Sequence, residues 1–289
     1  VTTVSRFQCI SLLTDYGLQD GFVASCHGVL ARLAPGVHVI DVTHLVPPGD
    51  IRRGAAVLAQ TLPSLPHGVH IAVVDPGVGT LRRSLALVAG DHVLVGPDNG
   101  LLPPAAEVLG GVGPAYEITS GAAMLQPVSH TFHGRDVFAP AAARLAAGEL
   151  TVAALGPEVP VDELVQLPMP LASAGDGWAQ AEVVTVDRFG NVQTALRAGR
   201  LAGAGFALGD VASISAGGVR HPVRYAETFG SVPKGALVLY VDSAGYISVA
   251  RNGGDAARLL GARPGSLVRI RAGASGTEAY GHALRPPGI

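Results

Sequence analysis

Four short polar clusters carry side chains able to do chemistry. Thr14-Asp15-Tyr16-Gly17 is followed by Asp20, and Asp75-Pro-Gly-Val-Gly-Thr leads into Arg82 and Arg83. Pro97-Asp98-Asn99-Gly100 forms the third cluster, and His130-Thr-Phe132-His133-Gly134-Arg135-Asp136 the fourth. A carboxylate accepts two hydrogen bonds, and an arginine pairs with a carboxylate through two parallel donors. A histidine exchanges protons near neutral pH. Several such clusters at the same edge of one predicted sheet favour a functional site. Each cluster also has a structural reading. Asp-Pro-Gly and Asp-Asn-Gly are ordinary turn sequences. Asp20 and Asp136 suit helix N-caps, and Arg83 rivals Arg82 for any role given to an arginine here. His130 and His133 form an HxxH, but with no cysteine nearby and no HExxH pattern no metal is expected. The glycines match neither the dinucleotide fingerprint nor the P-loop, so neither cofactor is expected.

The clusters fall where strands are expected to end. Cys9–Thr14, Val37–Val42 and Gly68–Val74 read as strands, and Leu85–Val88 with His92–Val95 as a strand pair around Gly90-Asp91. Asp20–Leu33 has apolar residues at helical spacing. Asp50–Leu62 reads as a helix capped by Asp50, and Gly100–Leu109 and Asp136–Ala147 are helical in pattern. This alternation predicts an α/β domain over 1–155, a mostly parallel sheet with helices on both faces. Ligands of such sheets bind beyond the carboxyl ends of the strands. Proline recurs through 156–176, expected as a linker. Over 177–289, short runs such as Ala179–Val186, Val192–Leu196 and Ala236–Val241 alternate with Gly-rich turns, predicting a small β-barrel. The tail Ala283–Ile289 is expected to fray.

Composition removes other classes. Of 289 residues, 48% are hydrophobic and 15% charged, with a formal net charge of −2. There is one lysine, Lys234, and no basic footprint for a nucleic-acid backbone. No apolar run reaches the length of a membrane span. The first residues lack the basic and apolar regions of a signal peptide, so a cytoplasmic protein is expected. Cys9 and Cys26 cannot build a disulfide framework or a four-thiolate zinc site. An apolar, charge-poor chain suggests an oligomer.

TDYGLQDGFVASCHGVL, VIDVTH, VVDPGVGT-x-R, GPDNGLL, TFHGRDVFAPAAARLAAG, VDRFGNVQTAL and GYISVARN occur in this order. From about Ile10 to Ile270 the chain resembles the S-adenosylmethionine hydroxide adenosyltransferases, relatives of the fluorinase and chlorinase. The resemblance implies hydrolysis of S-adenosylmethionine to adenosine and methionine, with no cofactor. It also implies a homotrimer whose site lies between neighbouring subunits. The family's water-handling triad falls on Asp75, Arg82 and His133, and its ribose ligand on Asp15. Its adenine contacts fall on Phe189, Asn191, Phe229, Arg251 and Gly253, and its methionine contacts on Asp20, Asp187 and Ser243. Read without the resemblance, Phe189 and Phe229 are strand residues destined for a core, and Asp187 and Asn191 bracket a tight turn.

Two alternatives remain within reach of the same residues. The fluorinase has Tyr in place of Asp75, Ser in place of Gly134, a Trp near Gly49 and an extra loop between Arg83 and Pro97. A carboxylate at Asp75 repels halide, which favours water over a chlorinase-like reaction. A non-catalytic S-adenosylmethionine- or adenosine-binding protein would need no triad. Ala244 stands where the family has the arginine of its methionine segment, leaving the methionine carboxylate without an assigned partner.

Overall fold

The computed structural model describes residues 7–273. A boundary between Pro168 and Met169 divides them into two compact units. In the first unit the elements are β1 (Cys9–Thr14), α1 (Phe22–Leu33), β2 (His38–Thr43), α2 (Ile51–Thr61), β3 (Gly68–Val73), β4 (Ser84–Ala89), β5 (His92–Pro97), α3 (Pro103–Val108), β6 (Ala115–Glu117), α4 (Ala139–Ala146) and β7 (Glu158–Val159). The sheet order is β2-β1-β3-β5-β4-β6-β7. β2, β1, β3 and β5 run parallel, while β4, β6 and β7 are antiparallel additions.

The strands' two-residue period divides the core. Ile10 and Leu12 on β1, with Ile71 and Val73 on β3, pack with Val29 and Leu30 of α1 and Ala142 of α4. Leu13 and Ala72 point the other way, to Ala55 and Leu58 of α2 and Ala105 of α3. Helices therefore cover both faces. Asp50 caps α2 as expected, its Oδ1 accepting from Arg53 N at 2.9 Å. Asp20 and Asp136 are not caps: α1 starts after Gly21 with no side-chain cap, and Asp136 lies within a π-helical turn, Gly134–Phe138, ahead of α4. That turn has a local cause. Pro140 has no N–H for the Asp136 carbonyl, which accepts from Leu125 N at 2.8 Å instead.

The stretch 156–176, expected as a linker, contributes β7 to the first sheet and β8 (Ala172–Gly175) to the second unit. The second unit continues with β9 (Trp178–Val186), β10 (Val192–Arg197), α5 (Ala198–Gly203), β11 (Val211–Ser215), β12 (His221–Tyr225), β13 (Leu237–Val241), β14 (Tyr246–Arg251), α6 (Ala256–Leu260) and β15 (Leu267–Ala272). β9 to β15 close into a seven-stranded barrel because the long β9 pairs with β15 along its first half and β10 along its second. Alternate residues of β9, from Ala179 to Thr185, point into the barrel core. The tail Ala283–Ile289 lies outside the described residues. Among the described residues no helix is long and apolar enough to cross a membrane.

Candidate active site

β1 and β3 run side by side with Thr14 opposite Val73, so Asp15 and Asp75 leave neighbouring strands at the sheet's carboxyl edge. Asp15 is held from two directions. Its N–H donates to the Val73 carbonyl, and its Oδ2 accepts from Gly49 N at 2.8 Å. After Asp75 the chain folds through two tight turns, with Val78 N donating to the Asp75 carbonyl and Thr80 Oγ1 to that of Gly77. Gly79 has φ +77°, and a Cβ there would collide with the carbonyl of His130. Glycine thus lets the loop carrying Asp75 approach the segment carrying His133.

Arg82 joins these loops. Its Nε donates to Asp75 Oδ1 and Oδ2 at 3.1 and 3.0 Å, and its Nη2 to Asp75 Oδ2 at 2.6 Å. Nη2 also donates to His133 Nδ1 at 2.7 Å, and Nη1 to Ser84 Oγ at 2.7 Å. The guanidinium lies over the buried ring of Phe138 at 5.4 Å. The Asp75 and Arg82 side chains are only 5% and 10% exposed. An arginine has no lone pair to offer, so Nδ1 of His133 must be unprotonated and the imidazole neutral, with its hydrogen on Nε2. Burial, followed by the Arg82 charge, lowers the His133 pKa below its ordinary value, against the pull of Asp75 and Asp136. In that state His133 offers a donor at Nε2, and the Asp75 carboxylate is the acceptor of the three.

A pocket of about 50 Å³ adjoins the triad, lined by Asp15, Tyr16, Asp75, Thr131, His133 and Gly134. That is room for a few water molecules. Tyr16 was not singled out from the sequence. Its ring sits edge-on to Phe132 at 5.7 Å, and its hydroxyl fills the space a Cβ on Gly134 would need. Burial and then nearby negative charges raise the Tyr16 pKa, keeping the phenol protonated.

The remaining clusters are structural. Arg83 donates to Asp98 Oδ2 at 2.8 Å and to the Glu163 carbonyl at 2.7 Å, so it is not a rival for the triad. Asp98 also accepts from Val165 N, and Asn99 donates to the Val74 carbonyl beside Asp75. Asp136 is buried, and burial alone would raise its pKa. Arg135 and the Ser129 hydroxyl and N–H hold it below the ordinary value. Asp20 and His130 are exposed.

The barrel's candidates sit on turns. Asp187 Oδ1 accepts from Phe189 N and Asn191 N, and its Oδ2 from Asn191 Nδ2, all within 2.8–2.9 Å. That turn presents the Phe189 ring 67% exposed. Phe229 opens a short 3-10 turn between β12 and β13, 46% exposed, with Tyr240 edge-on at 5.0 Å. The expectation of buried strand aromatics is corrected, because both rings lie in turns rather than on inward strand positions. Burial, followed by Asp187 and Asp242, pushes the Tyr240 pKa up to about 12. Ser243 is exposed in the turn that Asp242 organises by accepting from Ala244 N, Tyr246 N and Ser248 Oγ. Arg251 Nε donates to the Gly235 carbonyl, and Gly253 turns the chain at φ +69°. Arg197 was also missed. Its Nη1 donates to the Ala244 carbonyl at 2.9 Å, and its guanidinium lies 3.8 Å over the Tyr246 ring.

Residues 10–156 match the family model of the SAM hydroxide adenosyltransferase N-terminal domain, and residues 181–269 that of its C-terminal domain. The chain is 58% identical over 264 residues to the (R)-S-adenosyl-L-methionine hydrolase of Salinispora arenicola, covering 91% of this chain and 98% of that protein. More distantly, it is 28% identical to a fluorinase of an Actinoplanes species, over 90% of this chain and 96% of that one. A crystal structure of an uncharacterized conserved protein from Thermotoga maritima superposes with a TM-score of 0.86 at 34% identity, covering 91% and 99% of the two chains.

Proposed function

The chain belongs to the SAM hydroxide adenosyltransferase family, and from that premise we propose that it hydrolyses S-adenosylmethionine to adenosine and methionine. The observation that carries this reading is the Asp75–Arg82–His133 set, whose Asp75 and His133 line a pocket with room for a few water molecules. The sulfonium is already a good leaving group, so the protein's task is to place and activate water. The water oxygen bonds to the ribose C5′, the C5′–S bond breaks, and its electron pair stays on the sulfur of methionine. Asp75 takes the proton, His133 steadies the water by donating from Nε2–H, and Arg82 locks both in position. Asp15 binds the ribose hydroxyls. Phe189 and Phe229 stack on adenine, with Asn191, Arg251 and Gly253 at its edge. Asp20, Asp187 and Ser243 hold the methionine portion, and Arg197 supplies the cation that Ala244 lacks. No cofactor enters this scheme.

The relative's name specifies the (R) form at sulfur, and we extend that preference to this chain. A homotrimer with its site between subunits is supported by Leu18, Leu45 and Leu81, large apolar residues left exposed on the loops after β1, β2 and β3. Cys9 and Cys26, both free and buried, suit a reducing cytoplasm.

The test is to incubate the protein with each sulfur epimer in oxygen-18 water, with and without chloride. Labelled adenosine, faster from the (R) epimer and unchanged by chloride, is expected. A halogenated nucleoside would move the chain to the halogenase branch, and tight binding without product would make it a sensor. Sedimentation should give a trimer.

A further inference from the structure

A second group of ligating side chains stands in the α/β unit and shares no residue with the triad. His27 on α1, Asp41 on β2 and His44 just beyond β2 bring three ligand atoms within 4.8 Å of one another. Asp41 Oδ1 lies 2.8 Å from His27 Nε2 and 3.0 Å from His44 Nε2. His44 is the fixed member. It is 4% exposed, its Nδ1 lies 2.9 Å from Thr14 Oγ1, and its carbonyl accepts from Gly17 N at 2.8 Å. Yet His44 Nε2 has no hydrogen-bond partner among the described residues, although Asp41 Oδ1 is so close. Leaving a buried polar atom unsatisfied costs about 1–3 kcal/mol. The atom lies within 4.8 Å of both other ligand atoms.

We propose that His27, Asp41 and His44 bind a divalent first-row transition-metal ion of the zinc type. Two imidazoles and one carboxylate suit such an ion, whereas magnesium and calcium prefer oxygen ligands throughout. Ligand atoms about 2.0–2.2 Å from one ion lie roughly 3.0–3.5 Å apart for angles from a right angle to the tetrahedral value; the 3.0 Å from His44 Nε2 to Asp41 Oδ1 falls in that range, and the 2.8 Å hydrogen bond between His27 Nε2 and Asp41 Oδ1 lies just short of it. A metal-bound histidine usually donates its other ring N–H to an outer partner. Thr14 Oγ1 provides that acceptor, while also accepting from Tyr16 N at 3.2 Å. His27 and Asp41 are partly exposed, which leaves a path for the ion and room for water ligands. The ion fastens α1 to the edge strand β2 and, through His44, braces the loop that begins at Thr14.

The test uses chelator-treated, tag-free protein titrated with zinc ion against a chromophoric zinc indicator, alongside thermal melts. One equivalent should bind, with a zinc-dependent rise in Tm that magnesium does not reproduce. His27→Gln and Asp41→Asn, both at partly exposed positions, should each weaken zinc binding by about tenfold or more and abolish the Tm rise. Circular dichroism checks that both stay folded. Absence of stoichiometric binding would overturn the proposal. So would zinc affinity unchanged in both variants, or affinity lost instead with His130→Gln; the histidines would then serve only as ion-pair partners of Asp41.

Discussion

The two units meet the same demand, holding polar groups ready for a ligand, in opposite ways. In the α/β unit Arg82 binds both Asp75 and His133, the Asp75–Arg82 pair is nearly buried, and two loops fix one geometry. In the barrel, Asp187 and Asp242 bond the backbone of their own turns; the Asp187 turn exposes the ring of Phe189, and in a separate turn the ring of Phe229 stands exposed beside Tyr240. A reacting centre gains from groups that need not reorganise during the reaction. A binding surface gains from apolar area that a ligand removes from water. On the proposed function, this difference fits turnover in one unit and affinity in the other.

Breaking the triad should give the largest effect. Asp75→Asn keeps the shape but removes the proton acceptor and half of the ion pair. A fall in kcat of roughly 10²–10⁴ is expected with KM little changed. Steady-state kinetics on the folded variant check this, and a loss confined to KM would erase the contrast between the units.

Acid should also separate them. His70, fully buried on β3, bonds to Ser11 Oγ and His92 Nδ1, both at 2.8 Å, and burial followed by His92 lowers its pKa to about 3. Unfolded, it would titrate near 6.5, so between those values the unfolded chain binds the proton and the folded chain does not. Its contribution is present above pH 6.5 and lost as pH falls toward 3, with a slope of at most about 1.4 kcal/mol per pH unit. Urea unfolding followed against pH should show this slope, flattened in His70→Gln.

The sharper test of the barrel is Phe229→Ala. Stacking on a base is worth about 1–3 kcal/mol, so KM should rise roughly 5- to 150-fold with kcat retained. Phe189→Ala should act alike, since its ring also stands in solvent. An unchanged KM in both would mean that neither turn binds adenine.

The sequence was most legible where a short-range rule governs. Strand ends, the Asp50 cap and the two helical layers follow from period and capping chemistry. Spacing left Arg82 and Arg83 interchangeable, and the strand period separates them: successive side chains entering β4 point to opposite sides, one to Asp75 and the other to Asp98. β6 and β7, of three and two residues, are too short to show a period. The π turn follows from Pro140, but the donor that satisfies the Asp136 carbonyl, Leu125 N, comes from elsewhere in the chain. Phe189 and Phe229 read as core because hydrophobicity alone cannot tell an inward strand position from a turn. Tyr16, Tyr240 and Asp242 act through contacts made only after folding. The triad itself was assigned through the family resemblance, since Asp-Pro-Gly and FHGRD carry no unique chemistry of their own.

The smallest effect is expected at the 242–245 turn. Ala244 offers no cation there, yet Arg197 reaches the same turn from the end of β10, bonded to the Ala244 carbonyl and stacked on Tyr246. That arrangement uses one donor nitrogen and leaves the rest of the guanidinium fork for a carboxylate. Because Arg197 is exposed, solvent screens its attraction, and a several-fold rise in KM is expected for Arg197→Ala, on the scale of about 1 kcal/mol for exposed pairs. Arg197→Lys should recover only part of it, since an ammonium neither stacks nor binds both carboxylate oxygens. A substrate analogue lacking the methionine carboxylate separates this role from simple support of the turn. It should bind wild type and Arg197→Ala equally, and a persistent difference would make Arg197 a brace for the 242–245 turn instead.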